Sequence, residues 1–82
     1  MMTVLTTEGY FLTGTSTQIV GRIAELVAVG AGLRASGDGD VVLHECRRIA
    51  RYRQSIGPAL ADMAACNLLK GLAEDGHLLV KP

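Results

Sequence analysis

Two patterns of apolar and polar positions run through this chain, short apolar runs of strand-forming residues at its ends and a helical spacing between them. Thr3-Val4-Leu5-Thr6 and Tyr10-Phe11-Leu12-Thr13 are rich in β-branched and aromatic residues, as strands are. Thr7-Glu8-Gly9 lies between them as a short connection with a glycine for positive φ, so residues 2–13 read as a β-hairpin. A lone hairpin is marginally stable and needs a further partner. His77-Leu78-Leu79-Val80-Lys81 reads as a final strand able to supply one.

Between these ends the apolar spacing becomes helical. Thr15 and Gln18 fit a capping box, which places Thr15 at the N-cap of a first helix over residues 16–34. Ile19, Ile23, Leu26, Gly30 and Leu33 form its expected buried face, widened by Val20 and Val27, with Arg22 and Glu25 outside. Ala28, Gly30, Ala31 and Gly32 give up helix propensity, about 1 kcal/mol for each glycine relative to alanine. Such small residues either admit another helix closely or mark a frayed end. Ser36-Gly37-Asp38-Gly39-Asp40 is the clearest loop, a turn followed by a cap, and offers too few oxygen ligands for a calcium loop.

A second helix follows Asp40 and runs to about Gln54, with Val42, Cys46 and Ile49 as its apolar face and Leu43 and Ala50 beside it. Gly57-Pro58 interrupts, and Pro58 suits the first turn of a third helix; a single kinked helix over residues 41–75 is the other solution. The third helix ends at Glu74-Asp75-Gly76, with Gly76 just past its cap. The predicted order is β-β-α-α-α-β, a small α+β single domain spanning residues 1–82.

The third helix carries the strongest statement about purpose. Leu60, Met63, Ala64, Ala65, Cys66, Leu68, Leu69 and Leu72 surround it almost completely, and only Asn67, Lys70 and Glu74 make a polar ridge. A surface helix of a monomer usually shows one apolar stripe. A domain of 82 residues has little room to bury a helix on every side, so the surplus predicts a homodimer or higher oligomer. Leu60, Met63, Leu68, Leu69 and Leu72 are the expected self-association residues, with the small-residue end of the first helix beside them.

Composition narrows the function classes. Eight Lys plus Arg balance eight Asp plus Glu, which removes any overall attraction to nucleic acid or an anionic membrane. Arg outnumbers Lys six to two and Ala and Gly stand at ten each, the usage of GC-rich genomes such as those of actinobacteria and their phages. The N-terminal stretch lacks the basic and apolar regions of a signal peptide, and no apolar run is long enough for a membrane span, so a cytoplasmic protein is expected.

Catalytic chemistry is not announced. There is no nucleophile elbow, phosphate-binding glycine loop or HExxH pattern. His44 and Cys46 are roughly 200° apart on a helix and cannot share a metal face, and a site from His44, Cys46, Cys66 and His77 lacks zinc-type spacing. Cys46 and Cys66 both fall on apolar helix positions and read as reduced core thiols. Asp38 and Asp40 read as caps. No enzyme activity, cofactor or metal is expected.

Charge does cluster once. Four of the eight basic residues lie between Arg47 and Arg53; Arg47, Arg48 and Arg51 share a helix face able to meet phosphates, with Lys70 a possible helper. The other use of that face is a solvated surface with Glu45 nearby. Next to it, Asn67-Leu68-Leu69-Lys70-Gly71-Leu72-Ala73-Glu74-Asp75-Gly76-His77-Leu78-Leu79-Val80 resembles the end of the third helix and the first wing strand of winged helix-turn-helix proteins. The resemblance covers 14 of 82 residues and implies a regulator that binds duplex DNA through that helix, often as a dimer. It departs at the start of the helix, where residues 59–64 hold Asp62 and no base, and its second wing strand would have to come from the N-terminal hairpin.

The expectation is therefore a non-enzymatic, self-associating protein–protein interaction module, an accessory protein whose partners are itself and another protein. A winged-helix-like DNA-binding regulator is the competing reading.

Overall fold

A computed structural model describes residues 1–31 and 39–81. Its elements are β1 (Met2–Thr6), β2 (Phe11–Gly14), α1 (Ser16–Ala28), α2 (Gly39–Ser55), α3 (Pro58–Glu74) and β3 (Leu78–Lys81). This is the β-β-α-α-α-β order of an α+β domain. The strands form one antiparallel sheet in the order β2-β1-β3.

The first strand is central because both neighbours pair with it. Val4 sits opposite Leu12 on one side and opposite Val80 on the other. Val4, Leu12 and Leu78 are buried toward the helices. The hairpin turn is closed by Thr6, whose backbone N–H donates to the Tyr10 carbonyl at 2.9 Å and whose hydroxyl accepts from the Tyr10 N–H at 3.0 Å.

The three helices pack on one another, and α1 and α3 also cover one face of the sheet. Ile19, Val20 and Ile23 of α1, Val42, Cys46 and Ile49 of α2, and Ala61, Ala65, Leu69 and Leu72 of α3 join the strand residues in a single aliphatic core. The capping box opens α1: the Thr15 hydroxyl accepts from the Gln18 N–H at 3.3 Å, and the Thr15 N–H donates to Gln18 Oε1 at 2.9 Å.

The first helix stops six residues short of the expected Arg34. Gly30 has a φ of 73°, its N–H donates to the Val27 carbonyl at 3.0 Å, and the Ala31 N–H donates to the Leu26 carbonyl at 2.8 Å. These two bonds are the Schellman stop, in which a left-handed glycine turns the chain back over the last carbonyls. The same pair recurs at the end of α3, where Gly76 and His77 donate to Ala73 and Leu72. Gly30 thus ends α1 and is exposed, where a buried interior position was expected. Leu33, Gly32 and most of the predicted 36–40 loop lie outside the described residues. The second helix begins at Gly39, so Asp40 lies inside its first turn, where its charge complements the helix dipole, and is not the cap. Helices α2 and α3 are separate: the backbone turns at Gly57 (φ 126°) and Pro58 opens α3. Among the described residues no helix is long and apolar enough to cross a membrane.

Candidate functional site

The apolar surplus of α3 is divided unequally between its faces. Ala61, Ala65, Leu69 and Leu72 face the core. Leu69 and Leu72, two of the five expected self-association residues, are 1% and 4% exposed and belong to the chain's own interior. Leu68 is half-buried against that core. Leu60 and Met63 are the pair that reaches solvent, at 43% and 63% exposure. Ile56, in the corner before α3, is exposed as well. Spacings of three and four residues put Leu60, Met63, Asn67 and Lys70 along one ridge of α3.

The ridge is apolar because the interior of the first half of α3 is filled by alanines. Ala61 and Ala65 allow the helix to lie close to the start of α1, where the Ser16 hydroxyl donates to the Asp62 carbonyl at 3.4 Å and the Thr17 hydroxyl donates to Asp62 Oδ1 at 3.2 Å. Cys66, expected as a core thiol, is exposed on the same half-helix. Small side chains took the inner positions, leaving Cys66 outside with Leu60 and Met63.

A groove of about 460 Å³ runs between α1 and α2. Val20, Cys46 and Ile49 line its apolar part, Gly21 and Ala50 its walls, and Arg53 is the one charged lining residue. Burial, with help from the neighbouring Glu45 carboxylate, pushes the Cys46 thiol up to about 11, so it stays protonated at neutral pH. The groove was not foreseen. Its signal in the sequence is Gly21, a glycine in the middle of an otherwise regular helix.

The basic face of α2 is smaller than its four arginines suggest. Arg48 is committed within the helix: it bonds Glu45 at 2.6 Å, donates to the Tyr52 hydroxyl at 2.7 Å, and stacks 5.0 Å from the centre of the Tyr52 ring. Those partners hold its guanidinium above the ordinary arginine pKa. Arg47 and Arg51 are exposed one turn apart, Arg53 turns toward the groove, and Lys70 is exposed on α3.

A second apolar row lies on the bare face of the sheet. Leu5 pairs with Phe11 on one side and Leu79 on the other, and Phe11 and Leu79 are both largely exposed. Strand pairing makes this row, which the segments taken singly do not show.

The residues considered as metal ligands are dispersed. His44 is exposed, Cys46 is buried, Cys66 is exposed on α3, and His77 precedes β3 with its carbonyl accepting from the Thr7 N–H at 3.1 Å. Among the described residues no three His, Cys, Asp or Glu side chains group as a metal site. No protein-family model matches the chain, and no curated protein or solved structure is significantly similar to it.

Proposed function

We propose that this chain is a self-associating interaction module whose docking element is the outer face of α3. The observation that carries the reading is the exposure of Leu60 and Met63 on a helix whose opposite face is already satisfied by Ala61, Ala65, Leu69 and Leu72. Two large apolar side chains on one ridge gain by leaving water together, and an aliphatic domain of this size gains stability when a second copy covers them.

Sedimentation equilibrium from about 1 μM to about 1 mM protein tests it over the range of weak to firm association. The expected mass rises from the 8.6 kDa of one chain toward twice that value. The double variant Leu60→Glu/Met63→Glu remains at 8.6 kDa with unchanged helicity, because both positions lie outside the core. A wild-type chain that stays monomeric at the highest concentration, or a double variant that associates as the wild type does, overturns the reading.

One observation favours a second reading, binding to duplex DNA. Arg47 and Arg51 stand exposed on one face of α2 and make no ion pair among the described residues. As phosphate contacts they would give affinity that falls with salt, and Arg47→Ala/Arg51→Ala would lower the salt slope by about two. The exposed start of α3 supports this reading less, since it offers Leu60, Met63 and an acid where base-reading side chains would be needed.

A further inference from the structure

The α1–α2 groove has a direction. The start of α2 lies beside the end of α1, where a Cβ built on Gly39 would stand 3.5 Å from Val27. The two helices therefore run in opposite senses along the groove, and the first turn of α1 meets the last turn of α2. Thr17 belongs to that first turn, and Arg53 and Gln54 belong to that last turn. The polar lining residues thus gather at one end. From there the lining is apolar, with Ala50 on the wall and Val20, Ile49 and Cys46, each at most 3% exposed, on the floor. Water is poorly held on such a floor, because a bound water needs several polar partners and only the Cys46 thiol is offered.

Arg53 makes no ion pair among the described residues, and no carboxylate lines the groove. Asp62, which the Thr17 hydroxyl holds at 3.2 Å, is not part of the lining. An uncompensated guanidinium at one end of an apolar trough is complementary to one negative charge carried on an apolar tail. Its planar fork suits the two oxygens of a carboxylate. The length of the trough sets the tail. Cys46 and Arg53 are seven residues apart on α2. That is about 10 Å of helix, which an extended chain of about eight carbons spans. The volume of about 460 Å³ falls within the range of small-molecule sites.

We infer that this groove binds a medium-chain fatty acid. The carboxylate pairs with Arg53, with the Gln54 amide beside it, and the tail lies over Ala50 and Ile49 toward Cys46. The site stands apart from the α3 ridge, since no α3 residue lines it.

Titration of sodium octanoate into nitrogen-labelled protein, followed by amide chemical shifts, tests the site. Saturable shifts at Gly21, Ile49, Ala50 and Arg53 are expected, with half-saturation at about 1 mM or below. Butanoate, hexanoate and octanoate should bind in a rising series, about twofold to fourfold tighter per added methylene. Decanoate should gain little over octanoate, because its last carbons find no further groove. Arg53→Gln should weaken octanoate about tenfold and leave binding of octanol unchanged. Ala50→Leu, at an exposed helical position, should fold as the wild type does and lose both ligands. The Leu60→Glu/Met63→Glu variant should bind octanoate as the wild type does, so the groove and the self-association can fail separately. Absence of saturable shifts up to about 10 mM octanoate overturns the inference. So do shifts centred on Leu60 and Met63, and undiminished octanoate binding by either Arg53→Gln or Ala50→Leu.

Discussion

The two halves of α3 solve opposite packing problems. In the second half the large side chains, Leu69 and Leu72, are inside and the outer face is polar, with Lys70 and Glu74. In the first half the small side chains, Ala61 and Ala65, are inside and the large ones, Leu60 and Met63, are outside. The difference follows from what each half meets. The first half lies against the opening turn of α1, close enough for Ser16 and Thr17 to bond Asp62, and its buried positions there are the alanines Ala61 and Ala65. The second half packs at the C-terminal end of the helix, just before β3, where leucine volume is needed to fill the core. Hydrophobicity therefore does one job at one end of the helix and is left over at the other. The surplus read from the sequence is a local feature of about two turns.

The largest effects should separate the halves by stability. Leu69→Ala is expected to cost about 2–5 kcal/mol, because a fully buried leucine leaves a cavity as well as losing its transfer energy. Met63→Ala, in dilute protein, should stay within about 0.5 kcal/mol. In a domain of this size each kcal/mol moves the melting temperature by roughly 4–8 °C, so thermal unfolding followed by circular dichroism resolves the two. Equal shifts for the pair would mean that the inside–outside inversion is wrong.

How much of this was legible can be argued from the same residues. The capping box at Thr15 and Gln18, the end of α3 at Glu74, and the inner stripe Val42, Cys46 and Ile49 were readable from local rules, whereas the start of α3 at Pro58 had a kinked continuous helix as its alternative until the turn at Gly57 separated the two. The inner face of α3 was not, because both faces are apolar and periodicity cannot rank them; the ranking comes from how near α1 lies. Gly30 was read as a helical position because its neighbours continue the helical spacing, whereas two backbone bonds to Val27 and Leu26 make it a stop. Arg48 counts as a basic residue in sequence and is spent on Glu45 and Tyr52 in the fold. The groove and the Phe11–Leu5–Leu79 row depend on contacts between elements that spacing within one element does not encode.

A smaller effect sharpens the role of α1 in the first half of α3. Gly14 has a φ of 151°, and a Cβ on it would come within 2.6 Å of Gln18 Oε1. Gly14→Ala should therefore swing Gln18 away from the Thr15 N–H and also strain the backbone at a φ that side chains rarely adopt, together costing about 2–3 kcal/mol. Gln18→Ala added to it should cost little more, since the interaction is already gone. Hydrogen exchange should quicken at the first turn of α1 while Leu69 and Leu72 keep their protection. Uniform quickening would show that the halves of α3 are held by the same contacts.

The last contrast, silent at neutral pH, lies between the two thiols. Cys66 is exposed on the outer side of α3, and Cys46 is buried in α2 with its thiol held at about 11. Only about a thousandth of Cys46 is thiolate at pH 8, so a disulfide reagent in dilute protein should label Cys66 first and Cys46 at least ~100-fold more slowly. The pH dependence has a definite sign. The folded thiol stands above its ordinary value of 9.0, so the native state retains a proton that the unfolded chain gives up. Stability at neutral pH is therefore unaffected, and it declines as pH rises from about 9 toward 11. Over the same interval Cys46 should become reactive. If both thiols label at similar rates at pH 8, α2 does not separate its faces as cleanly as the first half of α3 inverts them.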